Sequence, residues 1–131
     1  MVIDSSAVVA ILFDEADWQR YVRAIEAATT RLISAATRVE LAFVVEGRKR
    51  EIGKVLLERF LRLTGAEIVA VTPQHAEIAV EAFRRFGKGR HRAGLNMGDC
   101  FSYALAAATN QPLLFKGGDF VHTDLHSALP A

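Results

Sequence analysis

The sequence has one cysteine, Cys100, so no internal disulfide can form and the fold has to rest on an apolar core in a reducing compartment. It has only three prolines, and no linker rich in Pro, Gly or Ser, no internal repeat and no low-complexity stretch divides it. We therefore expect one domain over residues 1–131, and a hydrophobic content of 51% is enough for its core. No apolar run approaches the ~20 residues that cross a bilayer. Met1-Val2-Ile3 begins as a strand without a basic region or cleavage site, so the expectation is a cytoplasmic protein with no membrane partner. Net charge is also nearly missing, at +1, but that balance hides a segregation. Residues 47–92 carry eleven Lys/Arg against five Asp/Glu, and the flanking segments are acidic.

What the chain does have is strands alternating with helices. Val2-Ile3 is a short β-branched run that stops at Asp4-Ser5-Ser6, before the apolar helix starting near Ala7. Asp14 to about Thr29 spaces Trp18, Val22 and Ile25 at helical intervals. Arg31-Leu32-Ile33-Ser34 is a second strand whose serine can cap the next helix, Ala35 to Lys49. In that helix Glu40 falls on one face with Ala36, Phe43, Val44 and Gly47, away from Arg38 and Glu46. Glu51 to Thr64 should be a further helix, paired with its predecessor as a hairpin and stopped by Gly65. Glu67 to Val71 is a strand, and Thr72-Pro73 opens a helix over residues 74–85. A basic segment then runs through Arg84, Arg85, Lys88, Arg90 and Arg92. Asn96 caps a helix beginning near Met97 or Gly98, with Asp99 in its first turn. Leu113-Leu114-Phe115 is a buried strand, and Leu125 opens a last edge strand. The fold class is α/β, three layers α/β/α, with a mostly parallel sheet of four to five short strands.

Ligands of such sheets gather beyond the carboxyl ends of the strands. Asp4 follows the first strand, Asp119 follows the strand at Leu113, Asp99 opens the helix leading to that strand, and Glu40 lies in the helix after the second. Each aspartate alone could be a helix cap, and Glu40 could be paired with an arginine. Four acids at one end of one sheet raise one another's pKa unless a cation neutralises them. All-oxygen ligation points to a hard ion, Mg²⁺ or Mn²⁺. Such an ion suits phosphodiester hydrolysis, with the basic segment holding a polyanionic backbone. Arg48-Lys49-Arg50 is as well read as a solvated face. His122 and His126 lack a third zinc ligand, and Gly87-Lys88-Gly89 lacks the spacing of a phosphate loop.

Four stretches, Met1-Val2-Ile3-Asp4-Ser5-Ser6-Ala7, Ala36-Thr37-Arg38-Val39-Glu40-Leu41, Arg92 to Ala106 with its Gly98-Asp99-Cys100-Phe101, and Leu113-Leu114-Phe115-Lys116-Gly117-Gly118-Asp119-Phe120, together resemble the PIN-domain ribonucleases of the VapC toxin type. The resemblance implies a PIN-like fold and a Mg²⁺- or Mn²⁺-dependent endoribonuclease, the toxin of a type II toxin–antitoxin pair. It further implies a homodimer held inactive by a small VapB-like antitoxin. Carried over position by position, the acidic quartet is Asp4, Glu40, Asp99 and Asp119. Ser6 and Asn96 then support the site or orient substrate, and Asp124 is close enough in sequence to share the role of the fourth acid. The family's antitoxin groove implies contacts at Trp18, Tyr21 and the helix from Ala35. A catalytically silent RNA- or protein-binding domain of the same fold is the alternative.

Overall fold

A computed structural model describes residues 1–129. At its centre is the two-residue strand β1 (Val2–Ile3), flanked by β2 (Leu32–Ser34) and β4 (Leu113–Leu114), with β3 (Glu67–Val69) outside β2. All pairings are parallel. Val2 stands opposite Leu32 and Leu113, and Ile3 opposite Leu114, so these positions share faces. Val2 and Leu113 turn toward helices α4 (Pro73–Phe86) and α5 (Met97–Thr109), packing with Ala82, Leu95 and Leu105. Ile3, Ile33 and Leu114 turn the other way, onto α1 (Ser5–Leu12), α2 (Trp18–Ala27) and α3 (Ala35–Thr64). Both faces of the inner strands are covered, which is why they are apolar without alternation. Each fully buried Ile or Leu contributes about 1.5–3 kcal/mol.

The sheet order places the site. The chain moves outward from β1 to β2 to β3, then returns past β1 to lay β4 on its other side. The crevice beyond the carboxyl ends of β1 and β4 is therefore the point where winding reverses. At the opposite end, polar groups are tied off. Arg31 donates to the carbonyls of Ile25 (2.7 Å), Glu26 (3.3 Å) and Thr64 (3.2 Å), closing the last turns of α2 and α3 with one guanidinium. The Met1 amine donates to Thr30 O and to Gln111 Oε1 (2.6 Å).

Several elements depart from the sequence expectation. α2 starts at Trp18, not Asp14, because Asp14 (φ 51°) and Asp17 (φ 61°) both take left-handed backbone and form a turn. The expected pair of helices is present, however: α3 is two helices that meet at a sharp break at the single residue Arg50 (φ 55°, ψ −133°), between the Lys49 and Glu51 bounds read from the sequence. Gly53 makes the bend possible, since a Cβ there would overlap the Val45 carbonyl. In the first half of α3 the buried stripe is Thr37, Leu41 and Val45, and Glu40 flanks it; Phe43, expected inside with Glu40, is 77% exposed. β3 ends at Val69, and the edge strand expected at Leu125 reduces to one parallel bridge between Ser127 and Leu113.

Candidate active site

Asp4 is the first residue past β1 and the N-cap of α1, in extended backbone (φ −80°, ψ 156°) that turns its carboxylate back over the helix. It is 2% exposed. Its Oδ2 accepts from the Ser6 N–H (3.0 Å) and hydroxyl (2.6 Å), and its Oδ1 accepts from Ser102 Oγ (2.6 Å). Ser6 Oγ in turn accepts from the backbone N–H of Lys116 (2.9 Å), tying the chain that leaves β4 to α1. The Lys116 ammonium grips Glu15 at 2.7 Å.

Asp99 closes a reciprocal cap. Asn96 Oδ1 accepts from the Asp99 N–H (2.9 Å), and Asp99 Oδ2 accepts from the Asn96 N–H (3.0 Å). Helix capping is thus a true description of Asp99, but it uses one carboxylate oxygen. Its carboxyl is pushed up to about 6, mainly by burial; the Asn96 N–H opposes this, and the charges of Asp4, Asp119 and Glu40 add to it. A cap at an ordinary helix start would be lowered, not raised.

Glu40 reaches the same space from α3. Burial raises its pKa first, the Ser5 side chain pulls the other way, and the Asp4 charge raises it further. Its Oε2 presses on Gly98, where a Cβ would overlap it, so the first turn of α5 accepts Glu40 only because residue 98 has no side chain. Its Oε1 is buried with no hydrogen-bond partner among the described residues. No arginine neutralises it, which removes the bland reading of a buried ion pair. An orphaned carboxylate oxygen beside two other acids has the donor chemistry of a hard-cation site. Among the described residues, no three His, Cys, Asp or Glu side chains stand close enough to form a preassembled ligand set.

Of the other expected residues, Asp119 is exposed at the start of a short 3₁₀ turn (Phe120–His122) and makes no cap bond, but its charge bears on Asp99. Asp124 does not join the cluster. It accepts from Tyr103 OH (2.6 Å), pairs with Arg85 (3.5 Å), and lines a separate cleft with Gln111, Pro112 and His126. Arg85 also stacks on Phe86 (4.6 Å), Arg84 pairs with Glu81 (3.5 Å), and Arg90 lies over Phe83 (5.0 Å). Lys88 and Arg92 are exposed and make no ion pair among the described residues. Tyr21, expected at a partner surface, is instead 5% exposed and belongs to the core, while Trp18 is half-buried. Ser102 and Gly98 were not singled out in the sequence. One is a lone hydroxyl in an apolar helix, the other a glycine in a helix's first turn, and both signals were there to be read. The Cys100 thiol is buried and pushed up to about 11, so it is no nucleophile.

Comparison with known proteins agrees with this fold. The PIN domain family profile matches residues 1–125. Ribonuclease VapC30 of Mycobacterium tuberculosis is 53% identical over 131 residues, covering 99% of this chain and 100% of the relative. Among solved structures, VapC20 of M. tuberculosis, described as a sarcin–ricin loop cleaving toxin, superposes with a TM-score of 0.79 at 18% identity over 98% of each chain. VapBC2 of Rickettsia felis, solved on a DNA fragment from its promoter, gives 0.75 at 16% identity over 96% of this chain and 94% of that one. With a profile spanning nearly its whole length and a full-length relative more than half identical, this chain belongs to the PIN-domain family, among the VapC proteins.

Proposed function

We propose that this protein is a divalent-cation-dependent endoribonuclease, the toxin of a VapBC pair, and that Asp4, Glu40, Asp99 and Asp119 hold Mg²⁺ or Mn²⁺. The observation that carries the reading is Glu40 Oε1, buried and without a donor among the described residues, next to an Asp99 carboxyl raised to about 6 by burial and, in smaller part, by three like charges. A cation bound there would supply an activated water, screen the phosphate and steady the leaving oxygen. The chain's own residues do the rest. Ser6 and Ser102 hold Asp4 from two sides, Asn96 holds Asp99, and Gly98 leaves room for Glu40. Lys88 and Arg92, in the loop that leads into α5, are free to take backbone phosphates and thereby make binding salt-dependent.

Names of relatives support the ribonuclease reading, and the partner in VapBC2 supports a small antitoxin. In this reading the exposed apolar residues of α3, Val39, Phe43, Ile52 and Val55, are free to meet an antitoxin or a second copy of the chain in the cytoplasm. Purified protein incubated with structured RNA should cleave it with Mg²⁺ or Mn²⁺ and stop on EDTA. Asp4→Asn and Asp99→Asn should both be inert and folded. Cleavage unaffected by EDTA would overturn the assignment, and metal binding without cleavage of any RNA would favour a silent binding domain.

A further inference from the structure

We infer that Thr37 and Ser102 form a one-way hydroxyl relay that sets the Asp4 carboxylate for its cation, making Ser102 a positioning residue; this rests on the cation-site reading above. Ser102 is wholly buried, one turn along α5 from Asp99, and gives its proton to Asp4 Oδ1 at 2.6 Å. A hydroxyl has a single proton. The 3.3 Å contact between Ser102 Oγ and Thr37 Oγ1 therefore runs in one direction, with Thr37 donating and Ser102 accepting.

The other oxygen of Asp4 is held the same way. Ser6 gives its proton to Oδ2 and accepts the Lys116 N–H behind it. Each carboxylate oxygen is thus gripped by a hydroxyl that is itself polarised from the rear, by α3 on one side and by the exit of β4 on the other. Chained hydrogen bonds of this kind strengthen one another at low dielectric. They fix the carboxylate's rotation; Oδ2 already accepts both the Ser6 N–H and its hydroxyl, so the lone pair left for another partner is on Oδ1. Because Ser102 and Asp99 ride on one helix, the bond also sets how far Asp4 stands from Asp99.

Packing alone gives no reason for a hydroxyl at either position. Cys100, Tyr103, Ala104, Leu105 and Ala106 around Ser102 are buried and largely apolar, and alanine is the better helix former. Thr37 is 1% exposed, and its one side-chain hydrogen bond among the described residues is to Ser102. Buried hydroxyls cost stability unless paired. This pair finds its partners only by ending on Asp4.

The test titrates the metal-free protein with Mn²⁺ alone, read by calorimetry and by the resonance of free Mn²⁺, with thermal melts in parallel. Ser102→Ala should weaken Mn²⁺ binding about 10-fold, the usual cost of removing an outer partner of a ligand, and melt within a few degrees of wild type. Thr37→Val, nearly isosteric, should weaken it about threefold through the same chain, and Thr37→Ser should restore what valine loses. Cleavage by Ser102→Ala should recover as Mn²⁺ is raised, with KM for RNA unchanged. Wild-type Mn²⁺ affinity in Ser102→Ala, or a Thr37→Ser protein as weak as Thr37→Val, would overturn the relay. Asp4→Asn separates the two layers. If it binds Mn²⁺ normally, the cation site itself is wrong; if it loses binding while Ser102→Ala keeps it, only the relay is wrong.

Discussion

The two ends of this sheet are built on opposite principles. At the amino end, strong polar groups of the described residues are tied off. Arg31 closes two helices, and the Met1 amine finds Thr30 and Gln111. At the carboxyl end, acids crowd together, one buried oxygen has no donor, and Asp99 is pushed up to about 6. A fold selected for stability alone would treat both ends alike. The contrast says that the amino end holds the protein together and that the carboxyl end is left unfinished for something that arrives later.

The sharpest way to break this contrast is to remove an acid. Asp4→Asn or Asp99→Asn should lower RNA cleavage by at least about 100-fold, the scale of losing one fixed electrostatic group, while Asp99→Asn raises the melting temperature of metal-free protein by relieving repulsion. A loss of stability in Asp99→Asn would place that carboxylate with the structural groups. Next is Gly98→Ala, whose Cβ would displace Glu40 from α5. We expect about a 10-fold loss in Mn²⁺ affinity, with Glu40→Gln adding little in the double variant. At the other end, Arg31→Met should cost about 2 kcal/mol of stability, as charged hydrogen bonds to three carbonyls are lost, and leave kcat unchanged.

A smaller effect comes from pH. The folded pKa of Asp99, about 6, lies above its ordinary 3.8. Between those values the native state binds a proton that the unfolded chain does not, so metal-free stability should rise as pH falls through this window. Saturating Mn²⁺ should reverse the slope, because cation binding needs the ionised form. Melts at pH 4 to 7 with and without Mn²⁺ would check the sign. Smallest of all, Asp124→Asn should leave cleavage within about twofold of wild type and Asp119→Asn should not, which separates the two candidates for the fourth acid.

Much of this was legible from local pattern. The Asn96 cap, the start of α5 at Met97, the turn at Thr72-Pro73 and the strand at Leu113 each follow from a few adjacent residues. Strand order and the rule for parallel sheets pointed to the end where the charges of Asp4 and Glu40 bear on Asp99. What failed was set by tertiary contact. The break at Arg50 fell where the two expected helices meet, but the close approach of Gly53 to Val45 that the bend requires was not legible in spacing. Helical spacing put Phe43 beside Glu40 correctly but could not say that the stripe one residue over, through Thr37, Leu41 and Val45, is the buried one. Tyr21 was placed at an antitoxin contact by the family resemblance alone, and its burial in the core is a tertiary fact. Asp119 and Asp124 sit in irregular chain, where periodicity carries no information; what tells them apart is tertiary, the Tyr103 and Arg85 contacts of Asp124 and the charge of Asp119 bearing on Asp99.

The middle strand of the sheet is translated first, and one of its two neighbours is translated last. β1 waits for β4 across more than a hundred residues, and Ser6 meets the Lys116 amide only after that strand has docked. Contacts of such long range form late. A ribosome partway through this message therefore carries a chain whose acidic pocket does not exist until β4 has been made and has docked beside β1.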